Sequence, residues 1–457
     1  MFKKVLVANR GEIAVRIIGA CKELGLKTVA VHSDIDKESL HVKIADETVC
    51  IGPGPATDSY LNIPNIVSAA EISGADAIHP GYGFLAENTY FADVCESCHI
   101  KFIGPSKKAI ENMGNKSQAR KIMKKAGVPI VPGTDSCISA DDPDLYKIAK
   151  KIGFPIIVKA AAGGGGKGMR IVQDGEALRS AIATAQTEAK ASFGNENVYM
   201  EKYIEEPRHI EFQILGDRKD KVVYLPERDC TIQRRHQKLI EESPSPVVSS
   251  SLRKKMGKAA RKVGEAIGYQ TVGTVEFLLD KDENFYFMEM NTRIQVEHPV
   301  TEMLVGLDLV KEQIKLAAGE KIEYDSDDFK PKGHVMECRI NAEDPWQDFV
   351  PSPGQIKGLV LPGGFGVRVD THIYCNYTIP SFYDSLIAKL VVNGGNRSEA
   401  IEKMKRALDE FFIEGIATTI PFHKLVMKDE YFQKGTFYTN FIQKHLLSNK
   451  NNNGKKG

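Results

Sequence analysis

The chain has 457 residues, of which 42% are hydrophobic and 26% charged, and its formal net charge is +1. These values are typical of a globular protein with two to four domains. A net charge this small argues against a nucleic acid or an anionic membrane bound through its overall field. No hydrophobic run is long enough for a membrane span, and the short run after Lys4 indicates a first strand rather than a signal peptide. We therefore expect a cytoplasmic protein.

Residues 1–114 alternate short hydrophobic strands with helical segments. After a first strand at 5–7 and a helix at 12–24, further strands are predicted at 28–31, 75–78 and 101–103. This alternation predicts a parallel α/β domain. No glycine-rich dinucleotide fingerprint follows the first strand, so a structural and substrate-side role is favoured over a Rossmann cofactor role.

A glycine-rich segment at 163–168 lies between two short hydrophobic stretches, 154–159 and 169–172. A Walker loop would need Ser or Thr after its lysine, and a Rossmann loop would need a helix next, but β-branched residues follow here. The segment therefore predicts a strand-loop-strand flap whose backbone N–H groups close over phosphates. Lys159, at the end of the first strand, is placed to reach phosphate oxygens.

Basic side chains and amides are concentrated at 229–238. A solvated charged strand explains this stretch about as well on its own, but together with the flap it favours an anion site. The stretch 201–204 has the pattern of a strand end and a turn, placed to line a nucleotide base with backbone groups. His209 and Glu211 lie two residues apart on the next predicted strand and indicate nothing alone.

Two further strands are predicted on either side of a polar turn, and they form a hairpin. A hairpin centred on 282–283 places Glu276 directly opposite Glu289 on one face. Like charges across a ladder are destabilising, so a cation should lie between them. Asn291 follows on the same face, and oxygen ligands without His or Cys favour Mg²⁺ or Mn²⁺. The alternative is a solvated hairpin face with ordinary surface acids.

The region from 331 to 446 is rich in predicted strands, at 335–340, 367–369 and 386–392, and a helix is predicted at 398–412. The last residues, 447–457, are polar and of low complexity, and we expect them to be disordered.

Six motifs occur in order along the chain, at 7–14, 79–88, 163–169, 228–238, 288–298 and 349–354. Over residues 2–446 they resemble the biotin carboxylase subunit, an ATP-grasp enzyme of biotin-dependent carboxylases. The resemblance implies an α/β and α+β multidomain fold. Its parts would be an N-terminal parallel α/β domain at 1–114, an ATP-grasp domain at 115–330 with a mobile lid at about 131–203, and a C-terminal biotin carboxylase domain at 331–446.

The resemblance also implies roles for individual residues. The residues implied to contact ATP are Lys116, Lys159, Gly165, Gly166, Glu201, Lys202, Tyr203, Ile204, His209, Gln233, His236, Glu276 and Glu289. Those implied to hold two Mg²⁺ or Mn²⁺ ions are Glu276, Glu289 and Asn291. Those implied to bind bicarbonate are Lys238, Arg293, Gln295 and the backbone of Val296, with Glu297 as general base. Those implied to bind biotin are Tyr82, Gly83 and Arg339.

The implied activity is ATP-dependent carboxylation of biotin by bicarbonate through carboxyphosphate. No Met-Lys-Met hairpin and no segment of carboxyltransferase size is found, so biotin would arrive on a separate carrier protein and the transferase would be another polypeptide. A homodimer is implied, with its strength left open because Gly19 stands where an arginine is common. Acetyl-CoA carboxylase and hence fatty acid biosynthesis is favoured, while pyruvate, 2-oxoglutarate and other acyl-CoA acceptors stay open.

Two other functions compete with this interpretation. One is a different ATP-grasp ligase that forms an acylphosphate with another acceptor, and the other is a nucleotide-sensing scaffold without activity. Arg293, Glu297 and Arg339 favour the carboxylase, because a scaffold has no need of a base beside a guanidinium.

Overall fold

A computed structural model describes residues 1–134, 136–161 and 169–447, with the side chain of Phe193 left out. The predicted flap glycines Gly165 and Gly166 lie outside the described residues, as does the predicted tail apart from Leu447. Within the described part of the chain, no helix combines the length and hydrophobicity that crossing a membrane requires.

The N-terminal region is a five-stranded parallel sheet in the order β3-β2-β1-β4-β5, with helices between the strands. Its strands are β1 (Lys4–Val7), β2 (Lys27–His32), β3 (Glu47–Cys50), β4 (Ala77–His79) and β5 (Lys101–Phe102). Its helices are α1 (Gly11–Glu23), α2 (Leu40–Ile44), α3 (Ile63–Ser73), α4 (Thr89–Ser97) and α5 (Lys107–Gly114). The predicted parallel α/β architecture is confirmed. The sequence did not indicate β3, because this edge strand is mostly exposed and polar.

A small antiparallel sheet follows, in the order β7-β6-β8. Its strands are β6 (Ile156–Ala160), β7 (Met169–Val172) and β8 (Val198–Lys202). The helices of the same region are α6 (Lys116–Lys125), α7 (Leu145–Ile152) and α8 (Leu178–Phe193). Lys159 pairs with Met169 across β6 and β7, so the two strands predicted on either side of the glycine-rich segment are confirmed.

The largest sheet has nine strands, in the order β14-β13-β9-β11-β12-β15-β22-β20, with β10 added on β9. Its strands are β9 (Arg208–Gly216), β10 (Val222–Tyr224), β11 (Arg228–Arg234), β12 (Gln237–Ser243), β13 (Thr271–Leu279), β14 (Phe285–Asn291), β15 (His334–Asn341), β20 (Val367–Thr371) and β22 (Leu386–Gly394). β12 pairs with β15, so hydrogen bonding continues across the boundary predicted near residue 330.

Helices and short strand pairs cover this sheet. The helices are α9 (Ser250–Ala266), α10 (His298–Val305), α11 (Leu309–Ala317), α12 (Arg397–Glu410), α13 (Ile420–Lys428), α14 (Glu430–Lys434) and a π-helix (Ile442–Leu447). The short strands are β16 (Glu343–Asp344), β17 (Val350–Pro351), β18 (Gly354–Gln355), β19 (Gly358–Val360), β21 (Thr378–Ile379) and β23 (Phe412–Glu414). One hydrophobic cluster joins Val7 and Ile17 of the N-terminal region to Leu215 and Val272 of the large sheet. This packing holds the N-terminal loops beside the large sheet.

Candidate active site

The hairpin of β13 and β14 brings Glu276 directly opposite Glu289, as predicted. Toward the turn the register shifts by one residue, so that Phe277 pairs with Phe287. The pairing expected for a turn centred on 282–283 is therefore found at the end of the hairpin that carries the two glutamates. A bulge beside Glu276 shifts the register between that end and the turn. Asn291 lies on the same face, since its Nδ2 donates to Glu276 Oε1 over 2.8 Å.

Two cationic side chains contact Glu276. Lys238 Nζ lies 2.8 Å from one carboxylate oxygen, and His209 Nε2 lies 2.9 Å from the other. Burial raises the pKa of Glu276, but Lys238 and His209 outweigh burial and hold it well below its usual range. Burial lowers the pKa of His209, and Glu276 reverses this to a net increase. Glu276 is therefore ionised and already paired.

Glu289 has no such partner among the described residues. Burial, and then the negative charge of Glu276, raise its pKa. A divalent cation between the two carboxylates would remove this repulsion, and carboxylate and amide oxygens are the donors that a hard cation prefers. Glu276, Glu289 and Asn291 thus fit Mg²⁺ or Mn²⁺.

Lys238 lies at the centre of a buried acidic cluster. Its ammonium contacts Glu211 at 2.5 Å, Glu276 at 2.8 Å and Glu297 at 2.6 Å. Each of these three carboxylates also contacts a second cationic side chain, which is Arg228 for Glu211, His209 for Glu276 and Arg339 for Glu297. Glu211 was assigned no role from the sequence, although its position two residues after His209 on β9 places both side chains on one face.

Glu297 lies between two cations. Lys238 donates to its Oε1, and Arg339 Nη2 donates to its Oε2 over 2.8 Å. Burial raises the pKa of Glu297, but Lys238 and Arg339 lower it well below its usual range. A carboxylate that is ionised, 2% exposed and flanked by two groups able to bind anions can act as a base toward an anionic acid.

Arg293 is oriented by three acceptors. Its Nε donates to Glu87 over 3.0 Å, its Nη2 to Asn291 Oδ1 over 3.0 Å, and its Nη1 to the Ile294 carbonyl over 3.2 Å. Glu87 also accepts the backbone N–H of Thr292 at 2.9 Å. No role was predicted for Glu87, which lies in the motif at 79–88, because a contact between residues 206 positions apart leaves no periodic pattern.

Arg228 is a second residue without a predicted role. This fully buried guanidinium donates to Glu211 at 2.5 Å, to Gln295 at 2.7 Å and to Thr301 at 2.8 Å. Gln295 in turn donates to Glu276 over 2.7 Å. Arg228 therefore fixes the side chains that surround Lys238. Arg228 is the first residue of the motif at 228–238, and its place in that motif was the only indication of a role that the sequence gave.

The basic stretch 229–238 is a hairpin rather than one strand. Arg235 and His236 form its turn with φ values of +48° and +67°, and Gln233 pairs with Lys238 across the ladder. The turn thus brings two predicted site residues side by side. On the three-stranded sheet, Lys159 Nζ donates to Glu201 over 2.6 Å, so these two predicted ATP contacts also touch each other.

All predicted site residues that the structure describes line one cavity of about 1290 Å³. They are Tyr82, Gly83, Lys116, Lys159, Glu201, Lys202, Tyr203, Ile204, His209, Gln233, His236, Lys238, Glu276, Glu289, Asn291, Arg293, Gln295, Val296, Glu297 and Arg339. The cavity extends from the three-stranded sheet β7-β6-β8, across the glutamate hairpin, to Arg339 on β15.

Comparison with known proteins gives matches along nearly the whole chain. The family described as "Biotin carboxylase, N-terminal domain" matches residues 1–110, "Carbamoyl-phosphate synthase L chain, ATP binding domain" matches 115–324, and "Biotin carboxylase C-terminal domain" matches 337–444. The biotin carboxylase of Haemophilus influenzae is 56% identical over 449 residues, which cover 98% of this chain and 100% of that protein. A pyruvate carboxylase subunit from Methanothermobacter thermautotrophicus is 55% identical, with 97% and 90% covered.

Solved structures give the same result. A biotin carboxylase complex with β,γ-ATP from Campylobacter jejuni has a TM-score of 0.92 at 49% identity, covering 97% of this chain and 99% of that one. The biotin carboxylase domain dimer of Hydrogenobacter thermophilus 2-oxoglutarate carboxylase, solved with MgADP, ADP and bicarbonate, has a TM-score of 0.90 at 51% identity, covering 97% and 98%.

The three-stranded sheet β7-β6-β8 and the large sheet, whose edge hairpin carries Glu276 and Glu289, define an ATP-grasp enzyme. Within that class, the chain belongs to the biotin carboxylase family of biotin-dependent carboxylases. The family resemblance and fold class expected from the motifs are thereby confirmed.

Proposed function

We propose that the chain catalyses the first half-reaction of a biotin-dependent carboxylase. ATP and bicarbonate would give carboxyphosphate, and biotin on a carrier protein would then give carboxybiotin, with ADP and phosphate released. The observation that supports this most is the position of Glu297, 2.6 Å from the Lys238 ammonium and 2.8 Å from the Arg339 guanidinium. Such an arrangement places a base beside two groups that bind anions.

Bicarbonate would bind to Lys238, Arg293, Gln295 and the backbone of Val296. A guanidinium suits this planar anion because its two N–H groups match two oxygens. An anion bound beside Lys238 weakens the field that holds the pKa of Glu297 low, so the carboxylate becomes a stronger base as its substrate arrives. Glu297 would then remove the bicarbonate proton as the oxygen attacks the γ-phosphate.

The nucleotide would lie between the lid and the large sheet. Its proposed contacts are Lys116, Lys159, Gly165, Gly166, Glu201, Lys202, Tyr203, Ile204, His209, Gln233 and His236. Glu276, Glu289 and Asn291 would hold two Mg²⁺ or Mn²⁺ ions. When bound, these ions supply charge neutralisation and alignment of the phosphates. Lys159 would leave Glu201, its present partner, to meet a phosphate.

Biotin would bind beside Tyr82, Gly83 and Arg339. Carboxyphosphate decays to CO₂ and phosphate, and the phosphate would accept the proton of biotin N1. The Arg339 guanidinium would stabilise the negative charge that develops on the ureido oxygen. Arg339 already contacts Glu297, so one residue would link the two half-sites.

The favoured complete enzyme is a cytoplasmic acetyl-CoA carboxylase of fatty acid biosynthesis, with a biotin carboxyl carrier protein and carboxyltransferase subunits as partners. Acetyl-CoA is favoured as the commonest acceptor for a free-standing subunit, and several relatives are named biotin carboxylase without mention of an acceptor. Pyruvate and 2-oxoglutarate carboxylases are the alternatives, because relatives from both enzymes are about as similar. We also propose a homodimer, and domains at 1–114, 115–330 with a lid at 131–203, and 331–446.

The test is ATP hydrolysis and biotin carboxylation by the purified chain, with bicarbonate and free biotin omitted in turn. Hydrolysis should require bicarbonate, and Glu297→Gln should lose carboxylation by at least about 100-fold, as for loss of a general base. Asp282→Asn, on the exposed turn of the glutamate hairpin, is the matched control and should behave as wild type. Hydrolysis independent of bicarbonate, or an active Glu297→Gln, would refute the proposal.

A further inference from the structure

Two buried carboxyl groups lie beneath Arg339 without a role in the mechanism above. Glu241 on β12 pairs directly with Glu337 on β15, and both side chains have 0% exposure. Arg339 is two residues from Glu337 on the same strand, so its side chain lies on the same face of the sheet. The pair is thus a neighbour of the proposed biotin site.

Three carboxyl oxygens of this pair have no hydrogen-bond partner among the described residues. They are Oε2 of Glu241 and both oxygens of Glu337. A buried polar group without a partner is costly, and two carboxylates opposite each other cannot both ionise easily. A proton held between them would resolve both problems, because the protonated carboxyl donates a hydrogen bond that the ionised one accepts.

Glu241 also holds the guanidinium of Arg339. Arg339 Nε donates to Glu241 Oε1 over 2.7 Å, while Nη2 donates to Glu297 over 2.8 Å. The guanidinium is therefore fixed between an acid of the sheet and the proposed base. Across β15 and β22, Glu337 pairs with Val391 and Arg339 pairs with the fully buried Lys389, so Lys389 lies diagonal to Glu337 on the same face. Lys389 Nζ lies 3.0 Å from Glu12.

We propose that Glu241 and Glu337 share a proton and, through Glu241, act as a positioning pair for Arg339. When negative charge develops on the ureido oxygen, the O–H bond of Glu337 breaks and an O–H bond to Glu241 forms. The negative charge of the pair then moves from Glu241, which accepts a hydrogen bond from Arg339, to Glu337, which accepts none from it. This step needs no further reactant, and it leaves more of the Arg339 charge for biotin. It rests on the proposed function.

The charges around the pair favour this arrangement. Burial, and then Glu241, raise the pKa of Glu337 well above its usual range. Burial raises the pKa of Glu241 to about 7, although Arg339 opposes this. The other charged or titratable groups near the pair are Lys238, Glu297, Cys230, Cys338 and Lys389. Above about pH 7 one proton remains in the pair, and below it Glu241 also becomes neutral and loosens its contact with Arg339.

The first experiment measures the KM for free biotin against pH in the full chain. In wild type the KM should rise as the pH falls below about 7, as Glu241 gains its proton. Glu241→Gln imitates the neutral form, so its KM should be about tenfold higher at every pH, without that inflection. Glu242→Gln is the control, because this buried neighbour faces Arg397 and His334 instead and should keep the wild-type profile. An inflection that persists in Glu241→Gln would overturn the proposal.

The second experiment does not require activity. Infrared difference spectra of wild type minus Glu337→Gln, at about pH 9 where free acids are ionised, should show the C=O band of a protonated carboxyl. The difference spectrum with Glu242→Gln should lack it. Absence of the band for Glu337→Gln would overturn the shared proton. Wild type that fails to carboxylate biotin would refute the proposed function, while the infrared result would still decide whether the proton is shared.

Discussion

Replacing Arg293 by lysine is the sharpest test of the bicarbonate site. The guanidinium donates in three directions, to Glu87, to Asn291 and to the carbonyl of Ile294. A lysine ammonium cannot reach these acceptors and still present two parallel N–H groups to a planar anion. Loss of one charge-assisted hydrogen bond in the transition state costs about 3 kcal/mol, which is about two orders of magnitude in kcat/KM for bicarbonate.

The assay is bicarbonate-dependent ATP hydrolysis with biotin present, together with nucleotide binding by calorimetry. Arg293→Lys should keep its affinity for ATP within about threefold, because the proposed nucleotide contacts lie elsewhere. Arg406→Lys, on the surface of α12, makes the same chemical change where the contacts are Glu410 and the Gly363 carbonyl, and it should leave the rate unchanged. Equal carboxylation rates for wild type and Arg293→Lys would refute the role given to the guanidinium.

Three further predictions concern stability, measured by denaturant unfolding. Although burial favours the neutral acid, Arg10 lowers the pKa of Asp36 to about 2. The stabilisation from this pair should therefore be complete above about pH 4 and be lost as the pH falls toward 2. Asp36→Asn should lower the free energy of unfolding by about 3 kcal/mol at pH 7, and this variant should not lose further stability between pH 4 and 2 through this pair. Gly257→Ala should cost about 1–3 kcal/mol, since its Cβ would lie 2.1 Å from the ring of Tyr224. Gly19→Ala, with no atom within 4 Å of its new Cβ, should instead stabilise α1 by up to about 1 kcal/mol. A stabilising Gly257→Ala or a destabilising Gly19→Ala would contradict the packing described at that glycine.

The site could be predicted from the sequence where local geometry decides it. The opposition of Glu276 and Glu289 follows from strand periodicity and turn position, and it survived a bulge because the bulge lies on the turn side of the pair. The strands on either side of the glycine-rich segment were also predictable, since β-branched residues follow the glycines.

The sequence did not indicate the contacts between segments that are far apart in the chain. Glu87 reaches Arg293 from the N-terminal region, and the buried guanidinium of Arg228 on β11 contacts β9 and α10. Such contacts depend on how the domains pack, and no periodic pattern in the chain records them. The opposition of Glu241 and Glu337 is of the same kind, because β12 and β15 are separated by about a hundred residues of other elements.

The acids around Lys238 explain why metal binding and nucleotide binding should be coupled. Glu211, Glu276 and Glu297 all contact this single ammonium, and Glu289 adds a fourth carboxyl beside them. A nucleotide triphosphate brings several more negative charges into the same cavity, where a low dielectric strengthens repulsion. Lys159 would offset part of this repulsion only after it leaves Glu201, its partner in this structure. Divalent cations at Glu276 and Glu289 would reduce that repulsion, so binding of the metals and binding of the nucleotide should strengthen each other.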